Sequence, residues 1–311
     1  MRMQKRLAGC VCLLAFTAAL LAACLLRPQT APVKTPVMGI VYTASEDDWK
    51  DEQFRLLGEQ AEAHGFDRMV MQAMRTQQSQ IDAIRALVVY RVDVIVFSPV
   101  VQSGWDNVLR EAAEANIPVI TVDKTVTQGD ARAQVSYVGF PYRALAKQAA
   151  KRLLSEKNDT VAELYGTLNS SGAQEMSRGF REGMEQSGQE LKYSLCGDFL
   201  RSRGYELMET FEQEYPHIGL VVSQNDAMVL GAVDYLKEHG LRPGTDIRIC
   251  AFGGGEEVLG CLARGEINLV AVCDNQALAH ETAHAALKLL EHPETPLWNE
   301  VRAELLPKEA A

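Results

Sequence analysis

A pair of histidines flanking a glutamate is the most recognisable chemical motif in the sequence. His280, Glu281 and His284 match the pattern H-E-x-x-H. On a helix this spacing presents two imidazoles to one zinc ion, while the glutamate activates a water molecule. Glu304 lies at a suitable distance along the chain to be a third ligand. Taken alone, the motif indicates a zinc peptidase.

The residues around this motif favour a solvated helix face over a metal site. On a helical projection the motif shares a sector of about 100° with Lys288 and Glu291. A lysine on the next turn would repel a divalent cation. The opposite sector carries apolar side chains, namely Ala279, Ala283, Ala286 and Leu290. We therefore expect no metal and no cofactor, and zinc proteolysis is the least favoured function.

The length and charge of the chain define its broad class. At 311 residues the chain is long enough for about two domains. Apolar residues make up 47% and charged residues 23%, which is typical of a globular protein. The net charge is −10, and removal of the first 23 residues with their three basic side chains brings it near −13. An acidic chain without a basic helix repels phosphate backbones, so we expect no nucleic acid partner.

The amino terminus predicts where the protein works. Three basic residues precede an uncharged run from Leu7 to Leu26, which contains the sequence Leu-Ala-Ala-Cys ending at Cys24. This arrangement resembles a bacterial lipoprotein signal, in which the cysteine thiol receives a lipid and becomes the new amino terminus. We predict a signal peptide over residues 1–23, a linker over 24–36 and a lipid-anchored protein outside the cytoplasm. An uncleaved membrane anchor is the alternative, because about 20 apolar residues can span a bilayer.

Four cysteines lie beyond this segment, at Cys196, Cys250, Cys261 and Cys273. Their spacing lacks the close pairs that are typical of metal sites. An exported protein can form disulfides, but the sequence defines no pairing, and we favour small buried thiols.

From Val37 onward, short apolar runs alternate with amphipathic stretches, as in parallel sheets that are covered by helices. The runs predict strands at Val37–Thr43, Asp67–Met71, Val92–Phe97, Pro118–Val122, Thr160–Tyr165, Tyr193–Asp198, Gly219–Ser223, Ile247–Phe252 and Ile267–Val272. The amphipathic stretches predict helices at Asp48–His64, Gln77–Tyr90, Gly104–Ala115, Ala173–Ser187, Ser202–Glu214 and Ala227–His239.

This order predicts an α/β fold with two doubly wound parallel-sheet lobes joined by a hinge. The N-terminal lobe is predicted over residues 37–139 plus 274–297, and the C-terminal lobe over 140–273 plus 298–311. Ligands of such sheets bind outside the carboxyl ends of the strands. The candidate site therefore falls in the loops near residues 44–50, 98–105, 123–125, 166–176, 223–226 and 253–256.

Five motifs occur in order along these elements. They start at Gln80, Val92, Ile117, Gly197 and Gln224, and they read QIxAIRA, VDVIVFSPVVxxGW, IPVIxVDK, GDFxRS and QNDxMxxGA. Together they resemble the sugar-binding proteins of ABC importers, the ribose type of type I periplasmic binding protein, and most closely the galactofuranose-binding branch. The resemblance runs from about residue 37 to residue 286.

The resemblance implies that the strand-end loops of both lobes close on a sugar. The ligand-binding residues that it implies are Trp49, Lys50, Asp123, Lys124 and Asn225. Each has a structural alternative: Trp49 covers a helix N-terminus, the Asp123-Lys124 pair forms a solvated turn, or Asn225 caps the helix after it. Trp105 is expected to pack between helix and sheet and not to contact the ligand.

Three positions depart from the branch that the chain resembles. Met176 stands where the resemblance implies an arginine, Gly253 where it implies an aspartate, and Val272 where it implies a polar hinge residue. A hydrogen bond to a charged group contributes about 1.5–3 kcal/mol, so two losses weaken sugar binding by roughly 10²- to 10⁴-fold unless Arg178 or Glu175 compensates. We expect weak binding of common hexoses and a smaller or less hydroxylated ligand.

The favoured function is therefore that of a lipid-anchored solute-binding protein, not an enzyme, which captures a small sugar or sugar-like ligand for an ABC permease. The alternative is a sensing protein that presents its closed form to a membrane sensor kinase or chemoreceptor. Lobe closure serves both functions, because a ligand that bridges the lobes shifts the hinge equilibrium toward the closed form, whether a permease or a sensor then binds that form. We expect a monomer that is attached to the membrane through its lipid.

Overall fold

The structure, a computed structural model, describes residues 34–45, 48–129, 134–154, 160–185, 189–215 and 217–308. The predicted signal peptide, Cys24 and all but the end of the predicted linker lie outside these residues. Across the described ranges, no helix is both long enough and apolar enough to cross a membrane.

Strands and helices alternate along the described chain, because short runs of aliphatic residues are followed by longer stretches with one apolar face. The strands are β1 (Val37–Thr43), β2 (Asp67–Ala73), β3 (Val94–Phe97), β4 (Val119–Val122), β5 (Val135–Gly139), β6 (Thr160–Tyr165), β7 (Leu191–Cys196), β8 (Ile218–Ser223), β9 (Arg248–Gly253), β10 (Leu269–Cys273), β11 (Trp298–Glu300) and β12 (Ala303–Pro307). The helices are α1 (Asp48–Ala63), α2 (Gln77–Tyr90), α3 (Asp106–Glu114), α4 (Tyr142–Leu154), α5 (Ser171–Glu185), α6 (Arg201–Glu214), α7 (Asp226–Glu238), α8 (Glu256–Ala263) and α9 (Asn275–Glu291).

The strands form two six-stranded sheets, each the centre of one lobe. The first lobe has the parallel order β11-β5-β4-β3-β1-β2 and carries α1, α2, α3 and α9. The second lobe has the order β12-β10-β9-β8-β6-β7 and carries α4 to α8. The predicted α/β fold with two doubly wound lobes is confirmed. One feature differs from the prediction, since β12 runs antiparallel to β10 at the edge of the second sheet.

Within the described residues, three crossings connect the lobes. The chain passes from the first lobe to the second between β5 and α4, returns between β10 and α9, and passes over again between β11 and β12. The last crossing lies at residues 301–302, which is later than the predicted boundary at 297/298. The reason is that Trp298–Glu300 pairs with β5 in the first sheet before the chain leaves that lobe.

The four cysteines of the described chain are free thiols. Cys250, Cys261 and Cys273 are buried, whereas Cys196 is half-buried. Burial raises the pKa of Cys250 to about 12 and the pKa of Cys261 to about 11. These two thiols are therefore protonated at neutral pH and act as small apolar side chains.

Candidate functional site

A cavity of about 210 Å³ lies between the lobes, at the carboxyl ends of the strands of both sheets. Each sheet sends its strand-end loops toward this cavity, as expected for doubly wound sheets. All five residues that were predicted to bind ligand line it: Trp49, Lys50, Asp123, Lys124 and Asn225. The fold therefore brings together side chains that are separated by up to 176 residues in the sequence.

The Lys50 and Asp123 side chains form the polar centre of the first-lobe wall. Lys50 Nζ donates to Asp123 Oδ2 at 2.8 Å and to Ser98 Oγ at 3.0 Å, and it also contacts the amide oxygen of Gln53. The Tyr142 hydroxyl donates to the other oxygen of Asp123. The carboxylate thus receives hydrogen bonds from both sides of the cleft, which fixes its orientation.

The charge of Asp123 is maintained by these partners. Burial by itself would raise the pKa of this carboxyl group, but the ammonium groups of Lys50 and Lys124 and the hydrogen bonds from Lys50 and Tyr142 lower it below the ordinary value. Asp123 is 3% exposed and has a left-handed φ of 67°. Asp123 is therefore buried in the cleft wall and does not belong to a solvated turn, which was the structural alternative for the Asp123-Lys124 pair.

Trp49 connects the cleft to a crossing between the lobes. Its indole Nε1 donates to the carbonyl of Cys273 at 3.1 Å, and Asn275 Nδ2 donates to the carbonyl of Trp49 at 2.8 Å. The indole ring is tilted against Phe140, with the ring centroids 6.1 Å apart. Trp49 is 9% exposed and lines the cleft, and its indole N–H is bonded at the crossing.

Phe199 closes the cleft from the second lobe. Lys124 Nζ lies 4.7 Å from the centre of its ring, within the range of a cation–π contact. The ring packs directly on Gly166, where an added Cβ would lie 2.1 Å from the ring edge. Asp198 and Phe199 both have positive φ, at 53° and 60°, a conformation that is uncommon for residues with side chains. This loop is therefore held in place by contacts on both sides.

Asn225 has two roles in the structure. Its Oδ1 accepts a hydrogen bond from the backbone N–H of Met228 at 3.1 Å and so caps α7. Its Nδ2 donates to the carbonyl of Phe199 at 3.3 Å, and the side chain lines the cleft. Asn225 therefore both caps a helix and lines the cleft. Its contact with a ligand remains a prediction.

Two buried glutamines hold the strand-end loops behind the cleft wall. In the first lobe, Gln80 donates to Thr43 Oγ1 at 3.0 Å and to the carbonyl of Ser98 at 2.8 Å. In the second lobe, Gln224 donates to Glu163 Oε1 at 2.8 Å and accepts from the backbone N–H of Gly166. Such fully satisfied polar networks make the geometry of a buried wall unique.

Glu163 supports the second-lobe wall from behind. It is 1% exposed, and its Oε2 accepts hydrogen bonds from the hydroxyls of Ser177 at 3.0 Å and Ser194 at 2.7 Å. Burial raises the pKa of this carboxyl group, and the hydrogen bonds from Ser194, Ser177 and Gln224 oppose that shift without cancelling it.

The three departures from the resembled branch occupy different places. Met176 and Gly253 line the cleft, whereas Val272 is not among the described residues that line it. Arg178 and Glu175 form an ion pair with each other at 2.9 Å, and neither lines this cavity. They therefore do not replace the charged group that is missing at residue 176.

Several cleft residues were not predicted from the sequence. Arg75, Gln77 and Phe199 follow the edge strands β2 and β7, and Tyr142 follows β5. All four residues come shortly after a strand, which is the sequence feature that could have identified them. The candidate loops, however, were those that follow other strands. Arg75 also joins the lobes, because its Nη2 donates to the carbonyl of Asp198 at 2.6 Å.

The two histidines of the H-E-x-x-H motif lie on the exposed side of α9, away from the cleft. The His280 ring packs edge-on against His64, with the centroids 5.1 Å apart. Glu304 forms an ion pair with Arg302 at 2.9 Å. Among the residues that the structure covers, no three histidine, cysteine or carboxylate side chains are arranged to hold a metal ion.

Trp105 is fully buried, as expected, and contacts Phe97.

Comparison with known proteins identifies relatives of this chain. The periplasmic binding protein domain matches residues 38–294. The galactofuranose-binding protein YtfQ of Escherichia coli (strain K12) is 33% identical over 238 residues, which are 74% of this chain and 75% of that protein. A structure from Mycobacterium smegmatis in complex with β-D-fucofuranose has a TM-score of 0.82 at 30% identity, and the match covers 88% of this chain and 91% of that one.

A further structure is the periplasmic binding protein component of the arabinose ABC transporter from Shewanella sp. ANA-3, bound to α- and β-L-arabinofuranose. It has a TM-score of 0.82 at 28% identity, and the match covers 88% of this chain and 92% of that one. The Escherichia coli and Shewanella relatives are binding proteins by name. The family match, the two-lobed fold and the cleft between the lobes agree with the resemblance seen in the sequence motifs, and the chain belongs to the periplasmic binding protein family.

Proposed function

We propose that this protein is a lipid-anchored extracytoplasmic sugar-binding protein, which captures a small furanose-like sugar and delivers it to an ABC importer. The observation that carries this proposal is the enclosed cleft in which Lys50, Ser98 and Asp123 form one hydrogen-bonded group beside aromatic rings. A sugar ring has polar hydroxyls at its edge and C–H groups on its faces. Fixed polar groups beside aromatic faces match both surfaces.

Binding is coupled to closure because the cleft is built from both lobes. Lys50 and Asp123 belong to the first lobe, Asn225 and Phe199 belong to the second, and Trp49 contacts a crossing between them. A ligand that contacts both walls stabilises the closed arrangement by its differential affinity for it. The closed form is then the state that a permease recognises.

Delivery to an importer is favoured over presentation to a sensor. The related Shewanella protein is a component of an arabinose ABC transporter, and the ribose import binding protein RbsB of Escherichia coli (strain K12) is 25% identical over 253 residues. Both names connect this architecture with import. The related proteins in complex with furanoses support a ligand of the same ring type.

A thermal-shift screen of monosaccharides tests the proposal. A sugar present at 100 times its Kd should stabilise the fold by about 2.7 kcal/mol, which raises Tm by roughly 5–10 °C. Lys50→Met should remove this shift, because the variant lacks the ammonium group of the first-lobe wall. His284→Ala is the matched control, since its side chain lies outside the cleft, and it should keep the full shift. A panel without any stabilising sugar would overturn the proposed function.

Lipid anchoring is tested at Cys24. We expect the wild-type chain to incorporate labelled fatty acid and to fractionate with membranes, whereas Cys24→Ser should do neither. The folded domain of the variant should keep the Tm of the wild type, because Cys24 lies outside the residues that form the two lobes. Cys12→Ser is the control and should still be acylated. Lipid on the Cys24→Ser variant would contradict the assignment.

The chain is proposed to act as a monomer. Analytical sedimentation of the Cys24→Ser variant would measure its mass in solution and so test this proposal.

A further inference from the structure

One side chain joins the two lobes directly, beside the cleft. The hydroxyl of Ser171, the first residue of α5, accepts a hydrogen bond from the backbone N–H of Thr125 at 2.8 Å and donates to the carbonyl of the same residue at 3.1 Å. Thr125 belongs to the loop after β4 in the first lobe, whereas α5 belongs to the second lobe. Ser171 therefore bridges the lobes through both backbone groups of a single residue.

A second hydrogen bond between the lobes accompanies this bridge. The backbone N–H of Gln102, in the loop after β3, donates to the carbonyl of Asn169 at 2.7 Å. The carbonyl of Gln102 in turn accepts from the N–H of Thr127 at 2.7 Å. The loops after β3 and β4 are thus joined to each other and to the segment that precedes α5. We call the four residues Gln102, Thr125, Asn169 and Ser171 the latch.

The latch is separate from the proposed sugar site. None of these four described residues lines the cavity of about 210 Å³ that contains Lys50 and Asp123. Gln102, Thr125 and Ser171 instead line a neighbouring cavity of about 580 Å³ between the lobes. The latch therefore contributes to contact between the lobes and not to contact with the sugar.

The latch is nevertheless tied to the site through one loop. The two residues before Thr125 also contact the second lobe, because Asp123 accepts a hydrogen bond from the Tyr142 hydroxyl and Lys124 lies over the ring of Phe199. Three consecutive residues of a loop cannot leave the second lobe independently of one another. We therefore expect their contacts to form and break together when the lobes move.

We propose, on the basis of the proposed function, that Ser171 is a positioning residue that sets the affinity for sugar through the latch. Hydrogen bonds of about 3 Å between the lobes do not survive a hinge opening, so they favour the closed form, which binds sugar. The apparent Kd equals the Kd of the closed form divided by the fraction of molecules that are closed. Loss of the latch therefore weakens the binding of every sugar by one common factor.

Ser171→Ala tests this inference in calorimetry on the full chain. A hydrogen bond typically changes an equilibrium constant by about 2- to 10-fold, so the Kd should rise by about this factor. The factor should be the same for L-arabinose, for D-galactose and for every other monosaccharide of the thermal-shift panel that binds. A side chain that contacts the sugar would instead change the ratios between these Kd values.

Thr210→Val is the matched control for the loss of a hydroxyl from the second lobe. The Thr210 hydroxyl donates to the carbonyl of Glu206 at 3.0 Å, within α6, and so it does not join the lobes. This variant should keep the wild-type Kd for each sugar. In the absence of sugar, Ser171→Ala should keep the circular dichroism and the Tm of the wild type, because the latch acts between the lobes and not within one of them.

The outcomes separate this inference from the proposed function. An unchanged Kd in Ser171→Ala, or a factor that differs between sugars, overturns the role of the latch while sugar binding stands. A lower Tm of this variant without sugar assigns Ser171 to the stability of its own lobe and likewise overturns the inference. If no sugar binds the wild type in calorimetry or in the thermal-shift panel, the proposed function fails, and the inference fails with it.

Discussion

Replacing Asp123 by alanine is expected to abolish measurable sugar binding and to lower the free energy of unfolding by about 3–5 kcal/mol. The substitution leaves the ammonium group of Lys50, whose side chain is 14% exposed, without the carboxylate 2.8 Å away. It also removes the acceptor of the buried Tyr142 hydroxyl. Urea unfolding measures the loss of stability, and calorimetry on the folded variant measures the loss of binding.

The double variant Lys50→Met with Asp123→Leu separates the two effects. Removal of both charges from a buried pair costs less than removal of one, so this variant should regain part of the lost stability, while the Tyr142 hydroxyl still lacks its acceptor. It should still fail to bind sugar, because the polar centre of the first-lobe wall is gone. Recovery of binding in the double variant, or a stability loss in Asp123→Ala below about 1 kcal/mol, would contradict the role given to this pair.

The same pair predicts how stability responds to acid. The pKa of Asp123 is lower in the folded protein than its ordinary value of 3.8. Its stabilising contribution is therefore complete above about pH 4 and is lost as the pH falls through the lower folded-state value. Asp123→Asn lacks this group, so the difference in unfolding free energy between wild type and variant should shrink below pH 4.

Replacing Trp105 by alanine is expected to destabilise the protein by about 3–5 kcal/mol. The indole is fully buried, packs on Phe97 at 5.1 Å and donates to the carbonyl of Val101 at 2.8 Å. Truncation leaves a large cavity between α3 and the first sheet. Chemical denaturation measures the effect, and Trp105→Phe is the control, which should lose only a fraction of this stability because most of the apolar volume is kept.

Trp49, which unlike Trp105 lines the cleft, should behave in the opposite way. Trp49→Ala is expected to weaken sugar binding by roughly 30-fold or more, which corresponds to about 2 kcal/mol, since it removes an aromatic wall of the cleft. Its effect on stability should be smaller than that of Trp105→Ala, although the carbonyl of Cys273 loses its indole donor. Sugar binding that is undiminished in Trp49→Ala, measured by calorimetry, would remove this residue from the site.

Local sequence patterns were sufficient for much of the fold. Runs such as residues 119–122 are buried on both faces of a sheet and are therefore uniformly apolar, which marks them as parallel strands. Two of the strands that escaped prediction, β5 and β11, give weaker signals. β5 has five residues and β11 has three, and segments of this length show no periodicity. Their places are decided by hydrogen bonds to strands that are distant in sequence, as in the pairing of Trp298–Glu300 with β5.

The candidate site likewise divides into features that the sequence predicted and features that only the tertiary structure decided. The strand pattern by itself predicted which loops form the site, and the resemblance to the sugar-binding proteins implied Trp49, Asp123 and Asn225 within those loops. Only the tertiary structure decided what each side chain contacts, because those partners come from other strands and from the other lobe. Tyr142 on Asp123 and Phe199 under Lys124 are contacts of this kind. The lack of space for a side chain at Gly253 likewise depends on where Asp226 lies, since a local sequence pattern carries no information about atoms that approach from elsewhere in the chain.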